Sequence, residues 1–308
     1  MISKPMDVLE QFSVRKSAAQ KKAFREQAKA YFEKLGYAVK VEKGNFGAQN
    51  VIIGDPTQAK YLITAHYDTP AGMFWPNFIT PFNIFIYLAY QLLVVCMVLA
   101  VALAVGIPVA MLTQNDRMGL MIGYFAYLAF FVFLMFGPAN RNNANDNTSG
   151  IVTLMEIAEN LPENLRSKVC FVLFDLEEAG LIGSSTYRKA HKKETEKQII
   201  LNLDCVGDGD DLIMFPTGKL KKDAAAMAAI DKIGKTDGKK SLQLHKKGLA
   251  ICPSDHKNFP KGVGIMAFNR WNGTLYCDKI HTKKDTKLDT ENVTFIRDAL
   301  LAFLADAE

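Results

Sequence analysis

The sequence predicts an α/β protein: an α/β/α sandwich with a mixed, largely parallel sheet, interrupted by a two-helix transmembrane hairpin. Two observations predict it. Short apolar segments alternate with segments of helical periodicity over most of the 308 residues, and strands separated by single helices pair in parallel beneath helices on both faces. Two long uncharged apolar runs, Phe82–Leu112 and Met118–Phe136, break that alternation. Each approaches or exceeds the ~20 residues that cross a ~30 Å hydrocarbon core.

The elements follow in chain order. Residues 6–35 place Val8, Leu9, Phe12, Phe24, Ala28, Tyr31, Phe32 and Leu35 at largely helical spacing, with Gly36 where a C-cap belongs. This helix is expected to pack on the domain. Strands are expected at Tyr37–Val41, Val51–Gly54 and Tyr61–Ala65. Beyond the apolar insert, a helix runs from Ser149 to about Leu161, then a strand Val169–Phe174, a helix from about Leu181 to Lys192 and a strand Ile199–Asp204. A strand Leu212–Phe215, a helix over 222–234 and a strand Val263–Phe268 follow. The last helix covers about Glu291–Leu304, with Thr290 as its N-cap.

The insert reads as a membrane hairpin because soluble helices of this length usually show a polar face. Thr113–Arg117 forms a polar turn between the runs. The chain thus divides into residues 1–80 and 137–308, two parts of one folded domain, and 81–136, the hairpin. Trp75, Phe78, Tyr87 and Tyr124 can sit in interfacial belts. Flanking charge does not orient the hairpin, since Arg141 stands on one side and Arg117 in the turn. The opening MISKPMDVLEQFSVRKSAAQKK has no stretch of signal-peptide length. The domain is therefore expected in the cytosol, with two spans returning the chain to the same side.

The net charge of +5 is dispersed among Lys/Glu mixtures. No basic stripe interleaves with aromatics, which argues against nucleic acid as a partner. The five cysteines form no CxxC pair and read as reduced, small apolar side chains.

Chemistry concentrates at five potential metal ligands: His66, Asp146, Glu178, Asp204 and His281. They lie in TAHYDTP (64–70), NDNTSG (145–150), DLEEAG (175–180), LNLDCVG (201–207) and KIHTKKDT (279–286). Two imidazoles and three carboxylates suit zinc. His66, Glu177, Glu178 and Asp204 fall at or just after predicted strand ends, where open α/β sheets place their sites. Asp146, held rigidly before a helix, can offer one oxygen to each of two cations. Asp68 can fix the tautomer of His66. Of the adjacent Glu177 and Glu178, one can bind metal while the other takes a proton from a water whose pKa a cation has lowered toward about 7.

The ordered set HYD, NDNTSG, DLEEAGLIGS, NLDCVG, PSDHKNF and IHTKKDT resembles the M28 family of zinc aminopeptidases, over about residues 60–70 and 140–290. The resemblance implies an α/β/α sandwich with a di-zinc exopeptidase site. His66 and Asp204 would bind one zinc, Glu178 and His281 the other. Asp146 would bridge them, Glu177 would be the general base, and Asp68 would orient His66. His256, in a segment that lies near substrate in the family, is expected to bind substrate, with loop support as its alternative role. The hairpin replaces a short family loop, and the common secretory signal is missing. His191 and His245 lie in charge-rich segments and read as ordinary surface residues.

The expected function is a membrane-anchored di-zinc aminopeptidase that hydrolyses N-terminal peptide bonds. Its partners would be the lipid bilayer and a peptide or other amide, with Phe74, Trp75 and Phe78 lining the mouth for hydrophobic substrates. One alternative is hydrolysis of an acylated amino acid or lipid amide delivered from the bilayer. Glutaminyl-cyclase-like chemistry on the same fold uses one zinc, whereas this chain keeps all five ligands. A non-catalytic membrane adaptor would be marked by loss of Glu177 or a ligand, and none is lost.

Overall fold

In the computed structural model, which describes residues 1–306, a single sheet organises the chain. Its strands are β1 (Val39–Lys43), β2 (Gln49–Ile53), β3 (Tyr61–His66), β4 (Val169–Phe174), β5 (Ile199–Leu203), β6 (Asp211–Pro216), β7 (Lys235–Thr236), β8 (Ser241–Leu244), β9 (Gly262–Trp271) and β10 (Thr274–Tyr276). The spatial order is β1-β2-β4-β3-β5-β9-β6-β8-β7, with β10 paired to β9. The expected mixed sheet is present. Its parallel part is the centre, β4-β3-β5-β9, together with β6-β8. The remaining pairings are antiparallel. Strands β7, β8 and β10 were not expected from the sequence; at 2, 4 and 3 residues they are too short to give a clear strand pattern.

Strand β4 shows why the centre is buried on both sides. Val169, Phe171 and Leu173 enter the larger core, while Cys170, Val172 and Phe174 enter the other. Strict alternation of the pleat produces this split, and a continuous apolar run is its sequence mark. The larger core also takes Phe24, Ala28 and Phe32 from α2 (Ala18–Lys34), and Ile151, Leu154 and Ile157 from α5 (Gly150–Asn160). The final helix, α9 (Thr290–Asp306), adds Val293, Ile296 and Leu300, and α8 (Ala224–Asp231) adds Ile230. Tyr187 of α6 (Ile182–Ala190) and Phe259 cover the opposite face. A short α7 (Lys192–Thr195) follows α6.

The expected single N-terminal helix is two. A five-residue α1 (Asp7–Gln11) ends before Ser17 begins α2 with a capping box, in which Ser17 and Gln20 satisfy each other's backbone N–H. Between them Arg15 is fully buried, 0% exposed. It donates to the carbonyls of Phe12 and Tyr67 and to Thr148. Burying a guanidinium is tolerable only with such partners. Gly36 closes α2 at φ +89°, as a C-cap requires. At the last helix, Asp289 accepts the Glu291 N–H at 2.9 Å, so the cap lies one residue earlier than Thr290.

The insert forms α3 (Ile84–Thr113) and α4 (Asp116–Phe136), both long and apolar enough to cross a membrane. They pack along small residues. A Cβ added at Gly119 would lie 2.5 Å from Ala110 Cβ and 2.7 Å from the Gly106 carbonyl oxygen; one at Gly123 would lie 2.9 Å from the Ala102 carbonyl oxygen. Ala102-x-x-x-Gly106-x-x-x-Ala110 thus meets Gly119-x-x-x-Gly123, the small-residue spacing by which lipid-exposed helices approach closely. Gln114 turns the chain at φ +53°, and the Asn115 side chain caps the Met118 N–H at 3.1 Å. Gly119→Leu overpacks this seam, at a cost of about 1–3 kcal/mol. It should lower the thermal midpoint of the detergent-solubilised chain, and an unchanged midpoint would refute this packing.

Candidate metal centre

Three parallel strands deliver the site from their carboxyl ends, as open α/β sheets do. His66 is the last residue of β3, Glu177 and Glu178 follow β4, and Asp204 follows β5. Asp146 comes from the loop before α5, and His281 from the segment after β10. Loop residues beside the ligands occupy left-handed conformations: Leu176 (φ +56°), Cys205 (φ +53°) and His281 itself (φ +65°). Such backbone costs on the order of 1–3 kcal/mol per residue and persists where the surroundings impose it.

All five expected ligands converge. His66 Nε2 lies 3.3 Å from Asp146 Oδ1 and 3.6 Å from Asp204 Oδ1. His281 Nε2 lies 3.2 Å from Asp146 Oδ2 and 3.3 Å from Glu178 Oε2. Asp146 therefore turns one oxygen toward each imidazole. Two groups with ligand atoms within 4.8 Å of one another share it: His66–Asp146–Asp204 and Asp146–Glu178–His281. A third group, His66–Glu177–Glu178, places Glu177 beside both.

A second set of side chains holds the ligands. Asn145, Asn147 and Ser149 alternate along the Asp146 loop and grip the end of β5. Asn145 Oδ1 accepts the Gly207 N–H at 2.7 Å, and Ser149 Oγ accepts the Val206 N–H at 3.0 Å. Asn147 donates to the Leu203 carbonyl at 2.9 Å and accepts from the Cys205 N–H at 3.3 Å. The Asp285 carboxylate accepts the N–H groups of Asn145 (2.7 Å) and Asp146 (3.0 Å). Ser254 donates to Asp204 Oδ2 and itself accepts from Asn202 Nδ2 at 2.7 Å. Sequence reasoning singled out neither Asp285 nor Ser254; the alternation N-D-N-T-S was the available signal for the loop.

Asp68 does more than expected. Its carboxylate accepts the backbone N–H groups of Glu177 (3.0 Å) and Glu178 (3.2 Å), fixing that pair. His66 Nδ1 faces the Asp68 main-chain carbonyl at 3.2 Å and the carboxylate at 3.7 Å. His256, expected to bind substrate or to support its loop, is buried. Its ring is fully buried against β9, where a Cβ at Gly264 would lie 2.6 Å from its Nδ1. Burial lowers its pKa to about 3, and it borders neither cleft described below.

The segment bearing His281 is also gripped by both stems of the insert. The leading stem donates from Met73 N to the His281 carbonyl (2.8 Å) and exchanges both backbone bonds between Ile79 and Cys277. From the trailing stem, Asn140 and Asn142 donate side-chain N–H groups to the carbonyls of Thr282 (2.9 Å) and Lys283 (2.6 Å). The stems pair with each other at Ala71 and Ala139.

Two clefts flank the centre. One of ≈ 500 Å³ runs past Asp68 and Glu178 between Lys16 and Gln20 of the N-terminal segment and Met135 and Phe136 at the end of α4. The other, ≈ 460 Å³, is bordered by Phe74, Arg141, Asp278 and Lys284. Of the aromatics expected at the mouth, Phe74 borders this second cleft. Trp75 and Phe78 instead pack on the hairpin, against Phe130 (6.4 Å between ring centroids) and Tyr90 (5.3 Å).

The residues fit a pair of cations. Burial pushes the Glu177 and Glu178 carboxyls well above the ordinary range, with neighbouring carboxylates adding to it and His66 opposing it. Glu178 Oε1 is buried without a hydrogen-bond partner, and such a group needs compensation. The donor set of imidazole and carboxylate suits zinc. Chelator-free protein supplied with zinc should hold about two ions per chain by elemental analysis. Asp146→Ala should lose both and His281→Ala should keep roughly one, because only Asp146 serves both groups. Full occupancy in Asp146→Ala would overturn the shared ligand.

Comparison with known proteins identifies the fold and the family. No curated protein matches the chain in sequence. Among solved structures, Porphyromonas gingivalis glutaminyl cyclase is 17% identical with a TM-score of 0.62, covering 96% of this chain and 94% of its own. A Zn-dependent exopeptidase from Parabacteroides distasonis is 16% identical, TM-score 0.59, covering 95% and 92%. The Legionella pneumophila LapA aminopeptidase is 13% identical, TM-score 0.59, covering 98% of this chain and 67% of its own. At these identities the likeness is one of fold. The sequence profile of Peptidase family M28 matches residues 131–304, from the end of α4 to the last helix and over four of the five ligands. The chain is a member of peptidase family M28, with the fold of its zinc-dependent hydrolases.

Proposed function

We propose that the chain is a membrane-anchored di-zinc aminopeptidase that hydrolyses N-terminal peptide bonds. The observation that carries this reading is Asp146, whose two oxygens face two separate, complete ligand groups. Two zinc ions there would polarise a substrate carbonyl and lower the pKa of the attacking water. Glu177 takes the proton of that water and returns it to the departing amine. Burial raises its proton affinity, which suits a group that accepts and then donates. Asp68 holds the Glu177 and Glu178 amides, and Ser254 keeps Asp204 turned toward His66. The cleft beside Glu178 admits the substrate, and the apolar Met135 and Phe136 that line it suit a hydrophobic residue. The same feature supports the variant substrate, an acylated amino acid or lipid amide entering from the bilayer.

A second reading, cyclisation of N-terminal glutamine with one zinc, draws on a different observation. The Asp204–His66 approach is looser, at 3.6 Å, than the approaches around His281 at 3.2 and 3.3 Å. Ser254 also occupies one Asp204 oxygen. Product analysis separates the readings: an aminopeptidase releases free amino acids from unmodified peptides, whereas a cyclase releases ammonia from N-terminal glutamine. Ammonia alone, with one zinc bound, would sink the first reading.

Glu177→Gln keeps the shape but cannot accept the proton. Turnover should fall by at least ~10²-fold, the low end of general-base contributions, with zinc content unchanged. Near-normal turnover would assign the proton transfer to another group.

A short linker replacing residues 82–136 leaves the stems that grip the His281 segment. Zinc binding should persist, and hydrolysis of hydrophobic or bilayer-held substrates should fall more than that of small soluble peptides. Equal loss on both would mean that the hairpin builds the site, and no loss on either would leave it as an anchor alone.

A further inference from the structure

We infer that the domain face surrounding the root of the hairpin docks on anionic lipid headgroups. This rests on the membrane-anchored reading above and adds the lipid chemistry and the side of the membrane.

Segments far apart in sequence bring cations to this root. Lys16 reaches the Met135 carbonyl at 3.4 Å, beside Phe136 at the end of α4. Arg141, Lys283 and Lys284 border the second cleft with Phe74. The segment from His245 to Ile251 is fastened to the start of α3. Ile251 N donates to the Pro81 carbonyl at 2.9 Å, and the Phe82 ring lies 4.7 Å from that of His245. It carries Lys246, Lys247 and Leu249.

Arg141, Lys247, Lys283 and Lys284 are exposed, and among the described residues no ion pair involves any of them. Of the other root residues, Lys246 pairs with Asp231 at 2.7 Å, and Asp278 is the one acid bordering the second cleft. Phe74 (81% exposed) and Leu249 (85%) stand among these cations. Unpaired cations with protruding apolar side chains at the base of a spanning element match the headgroup boundary of an anionic leaflet. The far end of the hairpin carries only Asp116 and Arg117, which cancel. The asymmetry places the domain on the cytosolic side, where Lys and Arg accumulate.

The full chain is tested in nanodiscs of phosphatidylcholine alone and of phosphatidylcholine mixed with phosphatidylglycerol, with amide hydrogen exchange as the readout. Each cation at an anionic surface favours contact by about fivefold. Exchange over 245–250 and 281–286 should therefore slow by about fivefold or more in the anionic discs. The protection should vanish at ~1 M salt, where the Debye length falls to about 3 Å. It should also vanish in Arg141→Glu/Lys247→Glu/Lys284→Glu, whose retained zinc would show that it is folded. Equal exchange in both discs would overturn the proposal while leaving the anchor intact. Equal exchange together with a loss of activity on acidic peptides in the charge-reversed variant would overturn it by assigning the cations to substrate. A chain that fails to float with neutral vesicles would instead bring down the anchor reading, and this proposal with it.

Discussion

Asp146 must stand between two imidazoles, with one oxygen for each, and much of the fold serves that requirement. Five acids (Asp68, Asp146, Glu177, Glu178 and Asp204) crowd the space around His66 and His281, a charge density that burial and mutual repulsion both oppose. The loop of Asp146 cannot find its position from local preference, since Asp146 and Asn147 leave the helical region before α5 begins. It is set instead by side chains on alternate residues. Asn145, Asn147 and Ser149 bond to the β5 exit, and Asp285 holds the loop from the other side. One strand end thereby fixes Asp146 and Asp204 together, which is what a shared ligand demands. Local strain at Leu176, Cys205 and His281 is the associated cost.

An apolar insertion between two ligands invites the question of how the site survives it. The stems supply the answer. They pair at Ala71 and Ala139 before diverging into α3 and α4, so the domain closes beneath the insertion. Both stems then bond to the segment carrying His281, one through backbone and one through Asn140 and Asn142. The position of His281 is therefore set jointly by the hairpin's base and by Lys279 and Lys287, which pair with Asp208 at 2.6 and 3.2 Å. Elsewhere small residues at Gly106, Gly119 and Gly123 let the two helices meet without help from the domain. The hairpin behaves as a module that is fastened at its base and packs on itself above it.

What was legible in the sequence was local. The central strands betray themselves by unbroken apolar runs, as in VCFVLF of β4, and the ligands by their place at strand ends. The hairpin is legible because lipid-length apolar runs have few other uses. The rest depends on distant partners. Arg15 looks like an ordinary helix residue until Tyr67 and Thr148 are seen to receive it, and that is why one expected helix is two. Ser254 and Asp285 hold the candidate ligand Asp204 and the Asp146 loop from segments whose local pattern says nothing of those partners. His256, two residues beyond Ser254, shares its motif and is buried against β9. Motif membership located the segment, and only packing shows that Ser254 is the residue bonded to Asp204.

Charge shows the same division between local and assembled information. Counting residues beside the apolar runs gives one arginine on each side and no orientation. Folding adds Lys16, Lys247, Lys283 and Lys284 to Arg141 around one root, because the N-terminal segment, the loop after β8 and the loop after β10 all fasten to the base end of the hairpin. That end is also where the central strands present the metal centre. Site and collar meet at the His281 segment, which carries a candidate ligand, receives bonds from both stems and continues into Lys283 and Lys284. The cleft beside Glu178 runs between Lys16 and Lys21 and the last apolar turn of α4. On the proposed reading, these surroundings favour molecules that are apolar at one end.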